Sequence, residues 1–354
     1  MFKCPLLILI FLALLLLPAC IRARQDQSTL ITEDAQIDTS APYPKEELQT
    51  IIYAANFPDN KDAALQTAIQ RDLRKIREAG FNSIFLSCDS AALDDALLRA
   101  LKQENMSLVT NQNVGEIPIF CLAPSPNRDG TNVLFDTYRR PHEAYYLHKS
   151  QISVEQAGAS PFIYIANRFY KAECKEVKVY SNCQEVELIV NGQPYGRQRP
   201  DSNYATAHLQ QAPFTFMLDD FRPGKIIAQG FINDEMLAAT ERHTPRSLQR
   251  LNLHLDEQQL PTRTGGDLVV LHADLVDEQG TIWPESGQKI VFEIKGDAHL
   301  LGTNPAISQA GRAAIFLQTG QQRQLELTAY CADLPTLRQT IYLKLQNSLS
   351  DEKQ

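Results

Sequence analysis

The chain has 354 residues, 44% of them hydrophobic and 21% charged, with a formal net charge of −8. That length predicts two or three domains of ordinary globular composition. The acidic balance argues against nucleic acid as a partner, because neutralising phosphate takes clustered Lys and Arg. The two basic spots, Arg71–Arg77 and Arg139–Arg140, are short and read as solvated helix faces.

The amino terminus, MFKCPLLILIFLALLLLPAC, sets one early lysine before an unbroken apolar run. The run is short for a membrane span and no second apolar stretch follows, so residues 1–19 read as a signal peptide. Leu17-Pro18-Ala19-Cys20 resembles a bacterial lipobox. That resemblance implies cleavage before Cys20, lipid on its sulfur and new amino terminus, and anchoring to a membrane of the bacterial cell envelope. With no Asp beside Cys20, the outer membrane is expected, on its periplasmic or its surface face. The alternative is ordinary cleavage with Cys20 incidental. Residues 20–45 are polar, without apolar period, and suit a flexible tether.

From residue 48 strands alternate with helices. LQTIIYAANF is β-branched and aromatic, and DAALQTAIQRDLRKIREAG carries an apolar stripe at Ala64, Leu65, Ala68, Ile69, Leu73 and Ile76 before Gly80 ends it. FNSIFLS reads as a short buried strand, SAALDDALLRALKQENM as a second helix, and SLVTN and IPIFCLAP as further strands. This alternation predicts a parallel sheet with right-handed crossovers over residues 46–155. Open sheet edges invite pairing, so either residues 112–135 cover the edge or the chain self-associates through it.

After residue 155 the rhythm becomes all-β. EVKVYSN and EVELIVNG alternate apolar and polar positions, and Asn191-Gly192 is a tight-turn signal. One β-sandwich is expected over 156–245 and an immunoglobulin-like one over 246–346, ahead of a disordered tail, 347–354. Cys88, Cys121, Cys174, Cys183 and Cys331 show no C-x-x-C spacing; Cys174 and Cys183 either bridge neighbouring strands or stay free thiols. The histidines are scattered, so no metal and no cofactor is implied.

The wording of these segments resembles the carboxy-terminal part of family 2 glycoside hydrolases of the β-galactosidase type. VKVYSNCQEVELIVNGQPYGRQRP, residues 177–200, and the following APFTFMLDDFRPGKIIAQGF are similar to that family's first sandwich after its catalytic barrel. Gly265 to Tyr330 resemble the invasin-type, immunoglobulin-like domain that follows it. FDTYRRPHEAYYLHKSQ, residues 135–151, resembles the family's last barrel helix, and RDLRKIREAGFNSIFLS an earlier helix–strand unit. The resemblance implies a multidomain chain: a truncated (β/α) barrel-like segment followed by two immunoglobulin-like β-sandwiches. It implies that Asp136, Arg139 and Arg140 cap and clamp the closing helix.

A whole (β/α)8 barrel takes roughly 250 residues, and about a hundred are present here. Retaining glycosidases use two carboxyl groups about 5–5.5 Å apart. The family's acid/base is the Glu of an Asn-Glu pair, and no such dipeptide occurs in this chain. Its nucleophile region is matched only by Glu116, and the remaining strand-end carboxylates are Asp59 and Asp89, both also simple helix caps.

Two functions follow. One is a non-catalytic cell-envelope lipoprotein derived from such an enzyme, with a structural or oligo- or polysaccharide-binding role. The other is a β-galactosidase-like hydrolase with a reduced or reassigned site, acting on envelope or dietary glycans. A truncated gene product without selected function is the third possibility. Glycan stacking, if present, falls to Trp283, Tyr138 and Tyr195, with Tyr43 beside them; packing is the competing role for Trp283.

Overall fold

The computed structural model describes residues 50–53, 64–86, 94–109, 119–121, 133–155, 159–166, 175–202 and 209–348, all within one compact unit running from Glu47 to Gln354. Cys20, Tyr43, Asp59, Asp89 and Glu116 lie outside the described residues.

The first region builds strands β1 (Thr50–Tyr53), β2 (Ser83–Leu86), β3 (Ser107–Val109), β4 (Ile119–Cys121) and β5 (Val133–Phe135). Helices α1 (Ala64–Glu78), α2 (Asp94–Glu104) and α3 (Glu143–Ser150) are added to them. All strand pairs are parallel, as the alternation predicts. The strand order is β3-β2-β1-β4-β5.

That order corrects the expected barrel arc. In a barrel, chain neighbours are sheet neighbours around the ring. Here the sheet grows outward from β1 in both directions, which is the order of an open, doubly wound sheet. Residues 112–135 contribute β4 and β5, so the free side of β1 is paired.

Helix α1 ends where Gly80 adopts φ +96°, and the Phe81 N–H then reaches back to the Ile76 carbonyl at 3.3 Å, a closing turn that favours glycine. The core between helices and sheet contains Ile69, Leu73, Ile76, Phe81, Ile84, Leu97, Leu101, Phe135 and Tyr145.

The first sandwich opposes two sheets. One is β10-β7-β6, from β6 (Ile163–Ile165), β7 (Glu176–Ser181) and β10 (Phe214–Met217). The other is β12-β11-β8-β9, from β8 (Glu185–Val190), β9 (Gln193–Gln198), β11 (Lys225–Ile232) and β12 (Glu235–His243). Period-2 alternation sends Val177, Val179, Val186, Leu188, Phe214 and Ile226 into one core. Asn191 and Gly192 both have positive φ, 51° and 82°, the geometry of the two-residue hairpin turn. Cys183 is buried and free, which settles its alternatives as a thiol.

The second sandwich has β13 (Arg250–Leu255), β14 (Leu268–Val276), β18 (Arg312–Thr319) and β16 (Ala298–Leu301) in one sheet. The other holds β17 (Ala306–Ile307), β15 (Lys289–Lys295), β19 (Gln324–Cys331) and β20 (Leu334–Lys344). Every residue of β14 is buried. Alternation alone would bury half of them. At the start of β14, Leu268 and Val270 meet Ala68 and Arg71 of α1 and Arg139 of the loop before α3, and this ties the α/β region to the last sandwich.

Candidate functional site

The carboxyl ends of β1, β2, β3 and β4, where α/β sheets place their chemistry, run into residues outside the described ones. Asp136 follows the carboxyl end of β5. Its carboxylate accepts the Tyr138 and Arg140 backbone N–H groups at 2.9 Å each and the Arg140 Nε–H at 2.6 Å. It therefore clamps the turn into α3, where Arg139 sits at φ +59°.

The densest polar cluster lies where α1 meets the last sandwich. Arg71 donates to both carboxylate oxygens of Asp267 at 2.9 Å and to the Leu268 carbonyl at 3.1 Å. Asp72 receives Arg139 at 3.1 and 3.2 Å. Lys75 donates to the Arg139 carbonyl at 2.7 Å and pairs with Asp256. Arg71, Asp72, Lys75, Arg139 and Asp267 are all buried. This corrects the solvated-face reading for Arg71, Lys75 and Arg139, whereas Arg77 at the end of α1 is exposed. Four-residue spacing puts Arg71 and Lys75 on one side of α1, and that side faces protein.

Burial pushes the Asp256 carboxyl upward, but the nearby His272 imidazole, the Lys75 ammonium and the Gln258 amide outweigh it and hold the group well below the usual carboxylate range. Glu241 and Asp277 are also shifted downward. A glycosidase acid needs the opposite shift. The cavity between Arg71, Lys75, Asp256 and Phe316 measures about 20 Å³, the scale of one water and far below the hundreds of Å³ typical of a ligand pocket. The cluster is a latch between domains, and its chemistry is cohesion. Sequence reasoning missed it; the signal was two cations four residues apart beside the apolar stripe of α1.

The three described stacking candidates sit apart. Tyr138 is half-buried with its ring 5.6 Å from that of Phe316, and burial raises its phenol pKa. Trp283 packs against the core of the last sandwich. Tyr195 is partly exposed, and its hydroxyl donates to the Met217 carbonyl and accepts the Asp219 N–H, both at 2.8 Å, joining the two sheets of the first sandwich. The tyrosines of α3 are committed to packing: Tyr146 stacks on Tyr164 at 3.5 Å, and burial, then Tyr164, push its phenol up to about 12. No group of three or more metal-ligating side chains occurs among the described residues, and none of the described helices is long and apolar enough to cross a membrane.

Residues 173–238 match the model of a domain family of unknown function, DUF4982. The chain is 29% identical over 208 residues to a β-galactosidase of Thermoanaerobacter pseudethanolicus, covering 54% of this chain and 27% of that protein. It is 29% identical over 169 residues to a β-glucuronidase of Formosa agariphila, covering 46% and 16%. The chain thus spans about a quarter or less of the length of these curated relatives. The crystal structure of a glycosyl hydrolase family 2 member from Bacteroides cellulosilyticus superposes with a TM-score of 0.61 at 14% identity, covering 84% of this chain and 61% of that one. At that identity the likeness speaks for the fold.

Proposed function

We propose that the chain derives from the carboxy-terminal part of a family 2 glycoside hydrolase-like protein and serves as a non-catalytic accessory of the cell envelope, a reading supported by its likeness to such proteins in sequence and fold. In this reading Cys20 bears the lipid anchor on the outer membrane, and the two sandwiches serve a structural or glycan-binding role outside the bilayer. The observation that carries the reading is the fate of the carboxylates in the densest polar cluster: Asp72, Asp256 and Asp267 are each held against a cation. Carboxylates so engaged are tied into the contact between α1 and the last sandwich, where they hold the fold together.

The relatives' names favour a second reading, a hydrolase of β-galactosides or β-glucuronides with Asp59, Asp89 or Glu116 in its site. Turnover of aryl β-galactosides and β-glucuronides by the purified chain separates the two. The accessory reading expects rates no higher than buffer. Hydrolysis that disappears in Asp59→Asn, Asp89→Asn or Glu116→Gln would establish the second reading instead. Intact mass of the membrane-fraction protein tests the anchor: a triacylated mass beginning at Cys20, with a diacylglyceryl group on the sulfur and an acyl chain on the amine, is expected, and an unmodified amino terminus there contradicts it.

A further inference from the structure

The two sheets of the last sandwich meet different surroundings. The outer face of β13-β14-β18-β16 lies under α1, whereas the outer face of β17-β15-β19-β20 is bare among the described residues. On that bare sheet Ile290, Phe292, Leu325, Leu327 and Leu337 turn inward to the core. The alternate positions point out, and the register sets Lys295, Glu326 and Tyr342 side by side across three strands. Tyr342 is 77% exposed, the most exposed large apolar side chain among the described residues. An aromatic ring left standing on a flat strand gains nothing from the core and offers an apolar face with a polar tip.

The charge of this face runs against that of the chain. Lys289, Lys295, Arg338 and Lys344 stand against Glu293 and Glu326, an excess of two positive charges on a protein of net −8. Both acids are taken: Glu293 by Arg338 at 3.1 Å and Glu326 by Lys295 at 2.7 Å. The Lys289 and Lys344 ammonium groups have no ion-pair or hydrogen-bond partner among the described residues. Lys289 and Lys295 are six residues apart on β15, so the platform runs roughly 20 Å along the strand. Among the described residues, the exposed large apolar side chains of this sheet besides Tyr342 are Ile307, beside Lys289, and Leu334, at the start of β20, both at its margins. That is little apolar area for a protein interface core.

We propose that this face binds an anionic polysaccharide, with Tyr342 stacking on the C–H face of a sugar ring and Lys289 and Lys344 meeting its carboxylates. The proposal rests on the glycan-binding form of the accessory reading and gives it a site and a ligand class. A flat, elongated platform suits an extended chain better than a free sugar, which needs a pocket.

The test is titration of the full chain with polygalacturonate, with neutral galactan and with polyglutamate. Expected is binding of polygalacturonate that weakens with salt, falls at least tenfold in Tyr342→Ala and in the Lys289→Glu/Lys344→Glu double variant, and persists in Tyr342→Trp. All three positions are exposed, and an unchanged melting curve shows that the fold is intact. Polygalacturonate binding that ignores these substitutions overturns this site while leaving glycan binding in place. Equal or tighter binding of galactan overturns the anionic class, and equal binding of polyglutamate overturns sugar recognition. Failure to bind any polysaccharide overturns both this site and the glycan-binding role.

Discussion

Arg71 on α1 and Asp267 at the entry to β14 meet through two parallel hydrogen bonds of 2.9 Å, with 5% and 1% of their side chains exposed. They are 196 residues apart in the chain. The bond joins the α/β region to the last sandwich directly, bypassing the sandwich between them in sequence. Taking two charges out of water is costly, and the fork-to-fork geometry is what recovers it.

Removing one partner leaves the other buried and alone. Arg71→Met is therefore expected to destabilise the chain by about 3–5 kcal/mol, and Asp267→Leu by a similar amount. The double variant should cost less than the sum of the two, since neither charge is then stranded. Urea unfolding of the three variants gives the coupling directly. Additive losses would mean that the pair does not act as a unit.

Stability is expected to fall with acid through His148. Its ring stacks on Phe81 at 4.2 Å, and burial lowers its pKa from 6.5 to about 4. The unfolded chain takes up this proton near 6.5 and the native one only near 4. The stabilising contribution is thus complete above pH 6.5, declines as the pH falls, and levels off near 4. A shift of that size corresponds to roughly 2–3 kcal/mol for a ring that keeps some contact with water. His148→Phe should flatten this part of the stability–pH curve; an unchanged slope would assign the acid sensitivity elsewhere.

Gly80 links α1 to the segment after α3. A Cβ there would lie 2.3 Å from Cδ1 of Ile152, on a backbone at φ +96°. Gly80→Ala is expected to cost about 2 kcal/mol or more, combining backbone strain with the clash. Shortening the neighbour, as in Gly80→Ala/Ile152→Ala, removes the clash and retains the strain, so it separates the two contributions in a melting series.

The sandwiches were legible in the sequence because their physics is local. Val177, Val179, Val186 and Leu188 alternate, and Asn191-Gly192 names its own turn. Helix α1 was legible for the same reason. The strand order of the first region was not, because periodicity says that a segment is a strand and not which strand lies beside it. The expected barrel arc came from local wording, whereas the β1–β4 pairing rests on contacts that no local pattern encodes. The latch was hidden differently. Arg71 and Lys75 look like solvent-facing residues until Asp267 and Asp256, 196 and 181 residues away, are set against them. Of the candidate site, Tyr138, Trp283 and Tyr195 could be placed on the fold, whereas Asp59, Asp89 and Glu116 lie outside the described residues.

The most direct test of the central claim is covalent trapping. A retaining glycosidase holds its sugar on a carboxylate during turnover, so a 2-fluoro galactoside or glucuronide with a good leaving group marks the nucleophile. After incubation of the full chain with each reagent, the account predicts an intact mass unchanged from that of the untreated protein. A glycosyl adduct on any Asp or Glu, located by peptide mapping, would contradict it and make this chain an enzyme.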